Sequence, residues 1–190
     1  MKNQKGLLVI ISSPSGGGKT TVIKKLLKDY SSDKLVYSIS MTTRPKRPGE
    51  INGIDYWFVD EKTFLQNIEN GNLLEHEQVH NHYYGTPKAP IENWLKEKKA
   101  ILLDIDVKGA GSIKAKFRDD CVSIFLKPPD LSVLIERLKK RSTESEKELE
   151  TRLSRVKTEI ESANQFDYIV VNDELHRTVK KIQEIIFKHI

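Results

Sequence analysis

The stretch Ser13-Pro14-Ser15-Gly16-Gly17-Gly18-Lys19-Thr20 has the residue types that polyphosphate chemistry demands. Backbone N–H groups must wrap such an anion closely, and Gly16, Gly17 and Gly18 let the chain approach with no Cβ in the way. The Lys19 ammonium can reach the β- and γ-phosphates, and the Thr20 hydroxyl can ligate Mg²⁺. The flanking sequence has the required order. The apolar run Leu7-Leu8-Val9-Ile10-Ile11 reads as a buried strand, and Val22, Ile23, Leu26, Leu27 and Tyr30 share one helical face. That helix would point its positive end at the anion. The usual pattern, G-x-x-x-x-G-K-[ST], opens with a glycine where this chain has Ser13, which must take up that glycine's backbone conformation. The half that touches phosphate is intact.

Other residues could complete such a site. Asp104 and Asp106 end the apolar run 100–105, and a spacing of two puts both carboxylates on one face of an ideal strand. An Asp after a hydrophobic strand commonly supports Mg²⁺ in phosphate-loop proteins. Arg44, Lys46 and Arg47 crowd the loop 42–50, and guanidinium forks match phosphate oxygens bidentately. Tyr56 and Tyr84 offer phenol donors nearby. Arg137, Arg141 and Arg152 bracket a polar segment, 141–147, poor in apolar anchors; movable cations there could meet charge on a phosphoryl group in transfer. Gly109 and Gly111 form a G-x-G without its third glycine, read as a tight strand-to-helix turn rather than a dinucleotide site. His76, His80 and His82 lack the partners of a zinc site and read as surface.

These residues sit on an alternating pattern of strands and helices. Strands are expected at 35–39, 56–59, 73–79, 100–106, within 121–126 and at 168–171. Helices are expected at 61–70, 89–98, 131–140, along Leu149, Leu153, Val156 and Ile160, and along Leu175, Val179, Ile182 and Ile186. A turn is expected around 83–87. Such alternation implies an α/β fold, a doubly wound parallel sheet with ligands at the carboxyl ends of its strands. The stretch of about 37–88 interrupts it and reads as an inserted β-rich lobe. With 190 residues, the chain suits one domain. Net charge is +5, but the lysines are scattered beside acids, so no nucleic-acid partner is expected. No apolar run approaches the length of a membrane span. The segment before the phosphate loop is too short for a signal peptide, so a cytoplasmic protein is expected. The single Cys121 reads as a structural residue in a strand. Oligomeric state is not legible.

The chain resembles guanylate kinase, the family that phosphorylates GMP to GDP with ATP. The resemblance covers nearly the whole chain, from the first strand to Asn172-Asp173. It rests on Ser15 to Thr20, on the run Ser38 to Glu50, on Asn52-Gly53-Ile54-Asp55-Tyr56, on Leu74-Glu75, on Tyr83-Tyr84-Gly85-Thr86, on Leu103-Asp104-Ile105-Asp106, and on Arg141 with Arg152. It implies a phosphate-loop core of about 1–36, 89–140 and 165–190, a GMP-binding lobe of about 37–88 and a helical lid of about 141–164.

The resemblance also implies roles. Ser40, Glu75, Thr86 and Asp106 would read guanine, since carboxylates accept from N1–H and N2–H₂ while a hydroxyl donates to O6. Arg44, Arg47, Tyr56 and Tyr84 would hold the GMP phosphate, with Asp104 beside them. Ser15, Gly16, Gly17, Gly18, Lys19, Thr20 and Thr21 would bind ATP, with Arg137 and Asn172. Thr20 and Asp104 would set Mg²⁺, Asp104 through water. Lys19, Arg44, Arg141 and Arg152 would carry the transfer. ATP and GMP, and dGMP beside GMP, are then the expected substrates. The alternative is a catalytically inactive guanylate-kinase-like interaction module, whose phosphate loop would be degraded. A related kinase for a phosphorylated sugar would lack the guanine-reading set, and Glu75 with Thr86 argues against it.

Overall fold

The unbroken apolar run after Gly6 forms strand β1 (Leu7–Ser12), with all six residues buried. Side chains alternate across a strand, so β1 feeds two cores. Leu7, Val9 and Ile11 pack with Val22, Ile23 and Leu26 on one face, whereas Leu8 and Ile10 pack with Ile91, Ala110 and Ile113 on the other. Each such buried aliphatic contributes about 1.5–3 kcal/mol. The carboxyl end of β1, where the phosphate loop begins, is therefore anchored from both sides. This computed structural model describes residues 5–30, 33–79, 81–130, 132, 134, 154 and 156–190.

Helix α1 (Lys19–Asp29) follows the loop, and strands β2 (Leu35–Ser38) and β3 (Met41–Thr42) come next. Then come β4 (Trp57–Phe58), α2 (Glu61–Glu69), β5 (Leu73–Val79) and β6 (His82–Pro87). The chain continues through α3 (Lys88–Lys96), β7 (Ala100–Asp104), α4 (Val107–Phe117) and β8 (Cys121–Lys127). Residues 156–161 are helical, and β9 (Tyr168–Val171) and α5 (Leu175–His189) close the sequence. The core sheet has the order β2-β7-β1-β8-β9, every pair parallel. A second sheet, β4-β3-β6-β5, makes the β-rich lobe, with β3–β6 and β5–β6 antiparallel. No helix among the described residues is long and apolar enough to cross a membrane.

Three local expectations are corrected. The segment 83–87 is strand rather than turn: it pairs with both β3 and β5, and Tyr83 stacks on the fully buried Phe64. The core strand ends at Asp104 instead of 106. Asp106 caps α4, its Oδ1 accepting from Gly109 N at 2.8 Å, so the two aspartates do not share a strand face. Gly109 and Gly111 lie inside α4 and form no turn. The segment 141–147, most of the expected helix 131–140, and Leu149 with Leu153 lie outside the described residues. Leu134 and Val156 are buried in one small cluster.

Candidate active site

The phosphate loop makes two different demands on its three glycines. Gly16 and Gly18 have left-handed backbones, φ 80° and 87°. Gly17 does not; it is needed for closeness. A Cβ there would sit 2.8 Å from Pro14 O and 3.0 Å from Ser13 Oγ. Ser13 itself stays outside the left-handed region, and its hydroxyl donates to Pro14 O at 3.1 Å. The serine in the first glycine's place is thus accommodated across the loop, by the bare Cα of Gly17. Gly17 N donates to Pro14 O at 2.8 Å, and Asn172 Nδ2 donates to Gly17 O at 2.8 Å from the end of β9. Asn172 is buried and braces the loop from behind. The Ser15 N–H donates to Glu159 Oε2 at 3.3 Å. Thr20 and Thr21 are exposed on the first turn of α1.

Lys19 opens α1, with Nζ 2.6 Å from Asp104 Oδ1 and 3.2 Å from Ile105 O. Asp104 ends β7 beside Ile11 of β1. Sheet register therefore places the carboxylate next to the phosphate loop.

Across the cleft lies a cavity of about 460 Å³ lined by Thr20, Arg44, Arg47, Tyr56, Tyr84 and Asp104, among others. Arg44 lies over the rings of Tyr56 and Phe58, 5.4 and 5.7 Å from their centroids. Burial opposes its charge, but the hydrogen bond and charge of Glu50 outweigh burial and hold its pKa above the usual value. Burial likewise works against the Glu50 carboxylate, yet its bonds to Arg44 and Arg47 keep it below the usual range. Burial, then the Asp104 charge, pushes the Tyr56 phenol up, so it remains a donor.

Sequence reasoning gave Glu50 no role. Its Oε1 holds Arg44 Nη2 at 2.7 Å, and its Oε2 accepts from Arg47 N at 2.8 Å. One carboxylate thus fixes both arginines of the loop. An acid three residues after Arg47 in a basic loop was the available signal. Glu50→Gln is expected to weaken this cavity's hold on a phosphate group roughly tenfold, since it weakens a charge-assisted bond. The phosphate loop's hold on a polyphosphate should not move. Titration calorimetry with each anion checks this.

A second cavity, about 160 Å³, opens beyond Tyr56, Tyr84 and Asp104, which line both. Ser40, Glu75 and Asp106 line its far end. Glu75 reaches it through an irregularity. Leu74 and Glu75 are both buried where strand alternation would expose one, and the β5–β6 register shifts between Leu73 and His76. Thr86, 1% exposed, donates to Glu75 Oε1 at 2.5 Å. Burial raises the Glu75 pKa to about 7 against the Thr86 bond, with the Asp106 and Glu77 charges adding to the rise.

The structure thus brings together Lys19, Thr20, Ser40, Arg44, Arg47, Tyr56, Glu75, Tyr84, Thr86, Asp104 and Asp106 around two joined cavities. Asn172 is tied to the loop backbone. Arg137, Arg141 and Arg152 lie outside the described residues. No group of three or more His, Cys, Asp or Glu among the described residues is arranged to hold a metal. His76 is exposed on β5. Cys121 is half-buried, its thiol pushed up to about 12 by burial and the Asp167 charge.

A phosphate loop on the central strand of a parallel sheet, facing a cleft with arginines and tyrosines, is the architecture of a P-loop kinase. The sequence model of guanylate kinase matches residues 5–189. A guanylate kinase of Lactobacillus acidophilus is 47% identical over 182 residues, which is 96% of this chain and 88% of that one. One from Thermotoga maritima is 45% identical over 182 residues, 96% of this chain and 86% of the relative. The crystal structure of guanylate kinase from Anaplasma phagocytophilum superposes with a TM-score of 0.81 at 34% identity, covering 98% of this chain and 87% of that one. The chain belongs to the guanylate kinase family.

Proposed function

We infer that the chain transfers the γ-phosphoryl group of ATP to a phosphate oxygen of GMP, giving ADP and GDP. The observation that carries this reading is the buried Glu75–Thr86 pair at one end of a cleft whose other end holds Arg44 and Arg47. A base reader and a phosphate clamp face one another across the space for a nucleoside.

Arg44, Arg47, Tyr56 and Tyr84 clamp the acceptor phosphate, the first two held by Glu50. Glu75 and Asp106 accept from guanine N1–H and N2–H₂. The one hydroxyl proton of Thr86 already goes to Glu75. Thr86 therefore orients Glu75, and Ser40 is left to donate to O6. The acceptor is ionised near neutral pH, because a phosphate second pKa is about 6. No strong general base is needed. Catalysis is positioning plus charge neutralisation. Ser15 to Thr21 cradle the ATP phosphates, and Lys19 meets the γ-phosphoryl oxygens. Asn172 supports that loop through Gly17 O.

The family likeness implies Mg²⁺ with ATP. The donors fit it: the Thr20 hydroxyl and Asp104 carboxylate line one cavity, and Mg²⁺ usually takes one or two protein oxygens beside phosphate and water. Thr20 would hold it directly and Asp104 through water. When bound, the ion neutralises charge on the β- and γ-phosphate oxygens. The resemblance further supports about 37–88 as the acceptor lobe and about 141–164 as the lid, where Arg141 and Arg152 would meet the transferring group, while Arg137 would bind ATP. Closure of both would exclude water.

The test is ADP release from ATP with GMP, dGMP, AMP, CMP or UMP as acceptor. Strong preference for GMP and dGMP is expected. GMP binding without stimulated ADP release would instead favour an interaction module.

A further inference from the structure

Gly109 meets two of the residues that face the base. It is the third residue of α4, its N–H donates to Asp106 Oδ1 at 2.8 Å, and it is buried. A Cβ on Gly109 would lie 2.7 Å from Glu75 Oε2, 3.2 Å from Glu75 Cδ and 3.3 Å from Asp106 Oδ1. Thr86 already holds the other oxygen of Glu75 at 2.5 Å. The Glu75 carboxylate is therefore seated between a hydroxyl on β6 and a bare Cα on α4.

Glycine is disfavoured relative to alanine inside a helix. No left-handed backbone calls for it at 109. The atom that a methyl would strike is the far end of a flexible side chain, so the fold can absorb the change by moving that carboxylate. Gly111 provides an internal contrast: it lies on the same helix, is exposed, and a Cβ there would meet nothing within 4 Å.

We propose that Gly109 is a positioning residue for base recognition, its missing side chain seating the Glu75 carboxylate where it can read guanine. The proposal rests on the reading of Glu75 as the guanine acceptor.

The experiment compares Gly109→Ala, Gly111→Ala, Glu75→Ala and Glu75→Asp, and the double variant Glu75→Asp/Gly109→Ala. It measures GMP affinity by calorimetry, both KM values, kcat and the thermal midpoint. Gly109→Ala should weaken GMP binding about tenfold or more, with the KM for ATP unchanged and the midpoint not lowered. Gly111→Ala should leave both substrates unaffected. Aspartate is one methylene shorter and carries its carboxylate clear of the new methyl. Adding Gly109→Ala to Glu75→Asp should therefore cause little further loss. If Gly109→Ala alone does not fold, that double variant decides. GMP affinity within twofold of the parent in Gly109→Ala, or the same fold-loss in the Glu75→Asp background, overturns the role of Gly109. Unchanged GMP affinity in Glu75→Ala sinks the base-reading assignment and this inference with it; a loss there without one in Gly109→Ala sinks the inference alone.

Discussion

Lys19→Ala is expected to lower turnover about a thousandfold, the scale on which enzymes lose rate when a preorganised partner for developing charge is removed. GMP affinity should stay nearly unchanged. Lys19 stands at the start of α1, between the phosphate loop and Asp104. The guanidinium clamp for the acceptor lies across the cleft on the loop 42–50 and is braced by Glu50 alone among the described carboxylates that bond it. The substitution also leaves the Asp104 carboxylate without its ammonium, at a position where both side chains are largely covered. A lowered thermal midpoint is therefore expected, and Lys19→Ala/Asp104→Asn should recover part of it without recovering turnover. ADP release, GMP calorimetry and thermal unfolding check the three statements. Equal collapse of GMP affinity in a folded variant would contradict this division of the site.

Glu75→Gln should lower kcat/KM for GMP by a factor on the order of 10² to 10⁴, since sites built on buried hydrogen bonds discriminate that strongly. The amide keeps the shape but replaces one acceptor oxygen with donors that face guanine donors. The parent should also show a pH dependence that the variant lacks. Glu75 titrates at about 7. Above that pH it is ionised and accepts from both guanine donors. Below it, the proton occupies one acceptor, and the KM for GMP rises. Ionisation of the GMP phosphate affects both proteins and cancels in the comparison. Stability follows the opposite sign. The folded pKa lies above the unfolded value of 4.5, so the neutral carboxyl's contribution is complete below about 4.5 and lost as pH rises through about 7. Relative to the parent, the glutamine variant should gain stability between pH 5 and pH 8, by of order 2–3 kcal/mol. Urea unfolding across that range measures it.

The parts of this site that a reader of the sequence can find are those set by local chemistry. Three glycines before Lys-Thr announce a phosphate loop, and the apolar run 7–11 announces the strand beneath it. The alternation of strands and helices implies a doubly wound parallel sheet in the same way, but the order of its strands is not written in that pattern. The elements missed depend on distant packing. Gly-Thr-Pro at 85–87 has the composition of a turn, but pairing with two strands and the Phe64 ring overrides it. Ile105 continues the apolar pattern of β7, which hid the cap at Asp106. The inward position of Glu75 depends on a register shift that no alternation pattern encodes. Gly109 gains meaning only from the Glu75 side chain that tertiary structure brings to it, whereas the partners of Glu50 lie within its own loop and left a local signal.

The bond from Asn172 to Gly17 O has a consequence for synthesis. It spans 155 residues, so the element nearest the start of the chain waits on one made near its end. While the ribosome is still translating the residues before 168, β1 and α1 can exist, yet the carbonyl at the heart of the loop has no partner from the end of β9. Contacts so far apart in sequence form late, because the intervening chain must first be ordered. The loop therefore reaches its braced form only after β9 has joined the core sheet beside β8.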